Sequence, residues 1–224
     1  MLNRFCSYIE KVFSFSTHLS ELRDTRIKGR IATKTIWGSA FLLFSLHLRN
    51  LNYAETHFRI SGRFRKVIGT NAPSADTIGR VFSLMEPEQL REYIKSVVTR
   101  LKRNKVLTED CSYIFAAIDG HEFFCSKKIH CNSCRVRNIK INGKEVEEYY
   151  HQGVVLSIIC KDMAIPLDVE MGAPKEGELT AAKKLVQRVC EKYPRLFDVI
   201  VGDALYANAP FFNLCHQYNK HVIA

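Results

Sequence analysis

The run Tyr113-Ile114-Phe115-Ala116-Ala117-Ile118-Asp119-Gly120 is the most informative stretch of this 224-residue chain. Six consecutive apolar residues stop at an acidic residue and a glycine. A run this short and this continuous reads as a strand buried on both faces and ending at Asp119. Two further strands are expected at Gly153 to Cys160 and Ala164 to Glu170, joined by a Lys161-Asp162 turn as an antiparallel hairpin. Leu179, Ala182, Leu185, Val186 and Val189 then form an apolar stripe at helical spacing over Glu178 to Lys192. Phe197 to Val201 returns as an apolar strand leading to Asp203. Asn208 is suited to cap a helix with Pro210 in its first turn, and a last strand begins at Lys220.

The residues before this α/β segment read differently. Phe5, Ile9, Val12 and Phe13, then Ile36, Ala40, Leu43, Phe44 and Leu48, recur at helical spacing. Ala72-Pro73-Ser74-Ala75-Asp76-Thr77 carries the turn and capping residues of a helix start, and Pro87 marks another, continuing through Arg91 to Lys105. The expected organisation is a helical region over 1–110 and an α/β domain over 111–224. Charge divides with it. The first 110 residues hold 19 basic and 10 acidic side chains, whereas the remaining 114 hold 14 and 13. A basic helical region joined to a neutral α/β unit points to a polyanionic partner for the former. Arg59, Arg63, Arg65 and Lys66 form its densest cluster, too basic for a core, and Arg80 follows.

Hydrophobic residues at 46% and charged residues at 25% exclude a disordered or collagen-like chain. The longest apolar run, Ile36 to Leu46, is about half of the roughly 20 residues that a membrane-spanning helix needs, so it reads as a buried helix. Glu10 and Lys11 interrupt the stretch that a signal peptide requires. A cytoplasmic location with the eight cysteines reduced is the resulting expectation.

If the first strand and the one ending near Val201 are neighbours, Asp119 and Asp203 meet at one end of the sheet, where loops build sites. Paired carboxylates repel unless a cation separates them. Hard oxygen donors without supporting histidines suit Mg²⁺ or Mn²⁺, the ions of phosphoryl transfer. The plainer alternative is that each aspartate merely ends a strand.

Four segments in this order resemble a family, the bacterial insertion-sequence transposases with a ribonuclease H-like catalytic domain and a DD(E) carboxylate triad. They are Pro73-Ser74-Ala75-Asp76-Thr77-Ile78-Gly79-Arg80-Val81-Phe82, Ile118-Asp119-Gly120, Tyr149-Tyr150-His151-Gln152, and Gly202-Asp203-Ala204-Leu205-Tyr206-Ala207-Asn208. The resemblance spans roughly residues 60 to 224. It implies a helical N-terminal region followed by an incomplete ribonuclease H-like mixed-sheet domain, with Asp119 and Asp203 as the first two metal-binding, catalytic carboxylates. It further implies Mg²⁺- or Mn²⁺-dependent cleavage and transfer of double-stranded DNA, by a homodimer on that DNA. The family's third carboxylate, a glutamate on a later helix, has no counterpart before Ala224, which reads as a truncation. Glu178 is the substitute within the chain, but it precedes the second aspartate. A stand-alone nuclease and a non-catalytic DNA-binding regulator are the alternatives. Tyr206 and Asn208 read as a core aromatic and a helix cap, or as DNA-positioning groups.

A second cluster lies between the first two expected strands. Cys131 and Cys134 have zinc-knuckle spacing, Cys125 or His130 offers a third ligand, and His121 or His151 a fourth, against the alternative of reduced cysteines in a long surface insertion. Lys127, Lys128, Arg135, Arg137 and Lys140 surround it as a basic patch suited to phosphate contacts, or as a solvated charged loop.

Overall fold

A computed structural model describes residues 2–26, 29–69, 71–108, 112–161 and 163–224. The chain forms two compact units, residues 1–96 and 97–224. The expected boundary between residues 110 and 111 lies outside the described residues, as does Asp162 of the expected turn.

The first unit is helical: α1 (Leu2–Phe13), α2 (Phe15–Glu21), α3 (Thr33–Ser45), α4 (Leu51–Ile60), α5 (Gly62–Ile68), α6 (Ala75–Ser83) and the start of α7 (Pro87–Arg103). Leu42 and Leu43 of α3 pack with Ala54 and Phe58 of α4 and Ile68 of α5, while Ile36 meets Ile78 and Val81 of α6. The helix start read at residues 72–77 is realised by the Ser74 hydroxyl, which accepts the Thr77 N–H at 3.2 Å. Phe44, grouped by spacing with the apolar face of α3, is instead 68% exposed. Among the described residues, no helix is long and apolar enough to cross a membrane.

The second unit is built on β1 (Phe115–Ser126), β2 (Arg135–Ile141), β3 (Lys144–Cys160), β4 (Met163–Met171), α8 (Glu178–Lys192), β5 (Val199–Val201), α9 (Ala209–Gln217) and β6 (His221–Ile223). β3 is central to one half of the sheet, antiparallel to β1, β2 and β4. β5 runs parallel to β1, and β6 parallel to β5. Leaving out β2, the order is β4-β3-β1-β5-β6 with β3 and its hairpin partner as described, which is a ribonuclease H-like mixed sheet. α8 contributes fully buried Ala181, Ala182, Leu185 and Val186 against β3 and β4. Ala182, Leu185 and Val186 belong to the apolar stripe read from sequence, as does buried Val189; Leu179 of that stripe is half-buried, and Ala181 joins it.

Three strand readings change. β1 does not stop at Asp119 but continues to Ser126, because β3 pairs along its whole length. Nor is β1 buried on both faces: Ala116 and Ile118 are buried while Phe115 and Ala117 are half-buried. The supposed surface insertion between the first strands is largely a hairpin, β2 with an early extension of β3, turning at Asn142 and Gly143 with φ of 49° and 79°. Positive φ at both central residues is the type I′ requirement that Asn-Gly satisfies.

Candidate functional site

The parallel pairing of β1 with β5 ends at Ala117 opposite Val201. Asp119 and Asp203 each follow two residues beyond that last pair, at the open end of β5, and both are exposed. Asp119 is thus mid-strand with respect to β3, where it faces Val155, but lies beyond the end of the β5 ladder. Asp203 is held by its own backbone. It caps the 3₁₀ turn Ala204–Tyr206, and its Oδ1 accepts the Leu205 N–H at 2.9 Å.

Tyr206, expected as a core aromatic, is fully buried and donates its hydroxyl to Glu178 Oε1 at 2.7 Å. Gln152 of β3 donates to Glu178 Oε2 at 3.0 Å. The carboxylate so held lies over Gly120, where an added Cβ would run into Oε2. Burial pushes the Tyr206 phenol well up, helped by its bond to Glu178 and by the negative charges of Glu178, Asp119 and Asp203. Glu178 supports the turn that carries Asp203 through Tyr206, and the charges of Glu178, Asp119 and Asp203 all act on that phenol. Among the described residues these carboxylates do not form a three-donor group as close as the cysteine–histidine one. Asn208 caps α9 through Phe211 N–H at 3.1 Å.

Among the described residues, one group of three potential metal donors converges: Cys131, Cys134 and His151, whose ligand atoms all lie within 4.8 Å of one another. His151 thus stands where the sequence offered Cys125 or His130 as a third ligand. Cys125 is paired across the strands with Tyr150, on the face opposite His151, and its thiol lies beside Glu148 and Arg137. His130 stacks on Tyr149 with ring centroids 4.4 Å apart, and His121 stands edge-on to Phe123.

The basic side chains separate into two groups. Arg63, Arg65, Lys66, Arg80, Lys127 and Lys128 are exposed, as is Arg59, which pairs with Glu55 at 2.5 Å. Arg135 and Arg137 are engaged internally. Arg135 donates to Gln152 Oε1 at 2.9 Å and to the carbonyls of Ala173 and Glu176. Arg137 bridges Glu122 and Glu148 at 2.6 and 2.7 Å and lies over the Tyr150 ring.

No family model matches the chain, and no curated protein matches it. Among solved structures, the catalytic domain of Mos1 mariner transposase is similar at 11% identity and a TM-score of 0.29, over 60% of this chain and 58% of that one. A pre-cleavage Mos1 transpososome is similar at 9% identity and a TM-score of 0.24, over 84% and 77%. The chain thus spans little more than half of the Mos1 catalytic domain.

Proposed function

We propose that this chain acts in divalent-metal-dependent phosphoryl transfer on double-stranded DNA, of the transposase type, with Asp119 and Asp203 as its metal-binding carboxylates. The observation that carries the reading is their equivalent placement beyond the last β1–β5 pair of a ribonuclease H-like sheet. The donor set fits Mg²⁺ or Mn²⁺: two exposed carboxylates, hard oxygen donors, one of them oriented by the Leu205 N–H. Bound there, such an ion supplies Lewis-acid polarisation of a phosphate and activation of a water or 3′-hydroxyl. The protein's own part is to orient Asp203 through its turn and to brace that turn from Glu178 through Tyr206. Phosphates along the duplex are met by the exposed Arg63, Arg65, Lys66, Arg80, Lys127 and Lys128, in a homodimer on DNA.

The test is Mn²⁺ binding by the pure chain, measured calorimetrically. Asp119→Asn and Asp203→Asn should each abolish it while leaving the fold and DNA affinity intact, whereas Glu178→Gln, which still accepts from Tyr206, should retain it. Absence of Mn²⁺ binding by the unsubstituted chain overturns the reading. Nicking of supercoiled DNA that vanishes in both Asp119→Asn and Glu178→Gln would replace it with a stand-alone nuclease whose third ligand is Glu178.

A further inference from the structure

We infer that Cys131, Cys134 and His151 bind Zn²⁺ and that the ion staples the β1–β2 connection to β3. The three donor atoms form a near-regular triangle. Cys131 Sγ and Cys134 Sγ are 3.8 Å apart, and His151 Nε2 is 3.3 Å from the first and 3.4 Å from the second. Zinc bonds of about 2.3 Å to sulfur and about 2.0–2.1 Å to nitrogen, arranged tetrahedrally, require about 3.8 Å between sulfurs and about 3.5 Å from sulfur to nitrogen.

A hydrogen-bond chain from Cys134 Sγ to Cys131 Sγ and on to Nε2 uses only one of the two close sulfur–nitrogen approaches, because a ring nitrogen has one lone pair or one proton. Convergence of all three atoms on one point is what a cation asks for. Backbone N–H groups also point at both sulfurs: Cys131 N–H at Cys134 Sγ at 3.3 Å, and Ser133 N–H at Cys131 Sγ at 3.4 Å. Cys134 is buried and Cys131 exposed, so the ion is reached from the Cys131 side, where water takes the fourth position.

The staple is tied to the rest of the unit by sequence adjacency. Cys134 precedes Arg135, and His151 precedes Gln152. Arg135 donates to Gln152, which in turn donates to Glu178. Fixing Cys134 to His151 fixes the start of β2 against β3 at the point where that chain of bonds begins.

The experiment is metal analysis of the full chain purified without chelator, with Co²⁺ titration as a second readout that needs no substitution. One zinc per chain and cobalt–thiolate absorption are expected. Cys131→Ser and His151→Ala should each weaken zinc by roughly 100-fold or more, beyond the roughly 10–100-fold that loss of a group merely supporting a ligand costs. Cys125→Ser and His130→Ala should keep one zinc per chain. A folded chain with negligible zinc and no cobalt–thiolate absorption overturns the inference, and zinc lost from Cys125→Ser or His130→Ala overturns this ligand set.

Discussion

The Tyr206 hydroxyl donates to Glu178 Oε1 at 2.7 Å, joining the first turn of α8 to the 3₁₀ turn that Asp203 caps. Twenty-eight residues separate the two in sequence, yet the bond fixes how the loop after β5 leaves the sheet. The phenol is pushed up by burial first and by the Glu178 carboxylate second, so it remains a protonated donor throughout the neutral range. The bond is a neutral hydroxyl serving an ionised carboxylate, the stronger kind of side-chain hydrogen bond.

Tyr206→Phe keeps the ring against Phe211 and removes only the donor. A hydrogen bond to a charged group contributes about 1.5–3 kcal/mol, so the urea midpoint should fall by a corresponding amount with the slope unchanged. Mn²⁺ affinity should fall with it, since the Asp203 turn loses its brace. A substitution that leaves both quantities unaltered would show that the bond supports neither.

Gly120→Ala should act on the same carboxylate from below. Its Cβ would collide with Oε2, Cδ and Oε1 of Glu178, a side chain already held by Gln152 and Tyr206. Relief requires breaking one of those bonds, at a cost of about 1.5–3 kcal/mol. In the Glu178→Ala background the obstacle is gone, so the cost of Gly120→Ala should largely disappear. Strict additivity in that double-mutant cycle would mean that the glycine serves some other contact.

What could be read from the sequence followed from local signals. The apolar stripe of α8, the caps at Ser74 and Asn208 and the two apolar strands are short-range patterns, and each lies in its expected element. The extent of β1 was not legible, because Asp119 to Ser126 has no apolar run and its strand character comes from pairing with a long partner. The β2–β3 hairpin was missed: its Asn142-Gly143 turn is a hairpin signal, but the charged residues on both sides hid the alternation. His151 could be placed only by the fold: it lies 17 residues from Cys134, and the β2–β3 hairpin returns it to the cysteines. Arg135 and Arg137 looked like free phosphate ligands because their carboxylate and carbonyl partners are remote in sequence.

Acid should weaken the helical unit through Asp24. Arg26 holds the Asp24 carboxyl well below its usual range, with Nε to Oδ1 at 2.9 Å and Nη2 to Oδ2 at 2.6 Å, and the Thr33 hydroxyl adds a bond at 2.7 Å. A carboxyl depressed on folding stabilises at pH values above its unfolded value of about 3.9 and loses that contribution as pH falls through the folded value. Asp24→Asn should therefore cost about 1.5–3 kcal/mol at pH 7. The gap between variant and parent should close below about pH 4. A gap that stays constant from pH 7 to pH 2 would assign the loss to packing instead of charge.

DNA affinity should depend on salt mainly through the exposed cations of α5. Arg63, Arg65 and Lys66 lie on one short helix with no acidic partner in it, whereas neighbouring Arg59 is already engaged by Glu55. Each phosphate contact releases condensed counterions, which steepens the dependence of log affinity on log salt by about 0.9 per contact. Replacing Arg63, Arg65 and Lys66 together with alanine should make that slope shallower by up to roughly 2.7, uniformly across DNA sequences. Arg135→Ala and Arg137→Ala provide the contrast. Both side chains are engaged with groups of the protein itself, so their loss should lower stability while leaving the slope nearly unchanged. Affinity measured by fluorescence anisotropy on an arbitrary duplex from 50 to 200 mM salt, roughly the range over which multi-phosphate binders lose most of their affinity, separates the two sets. A slope that survives the triple substitution but collapses in Arg137→Ala would move the DNA-binding surface from the helical unit to the sheet.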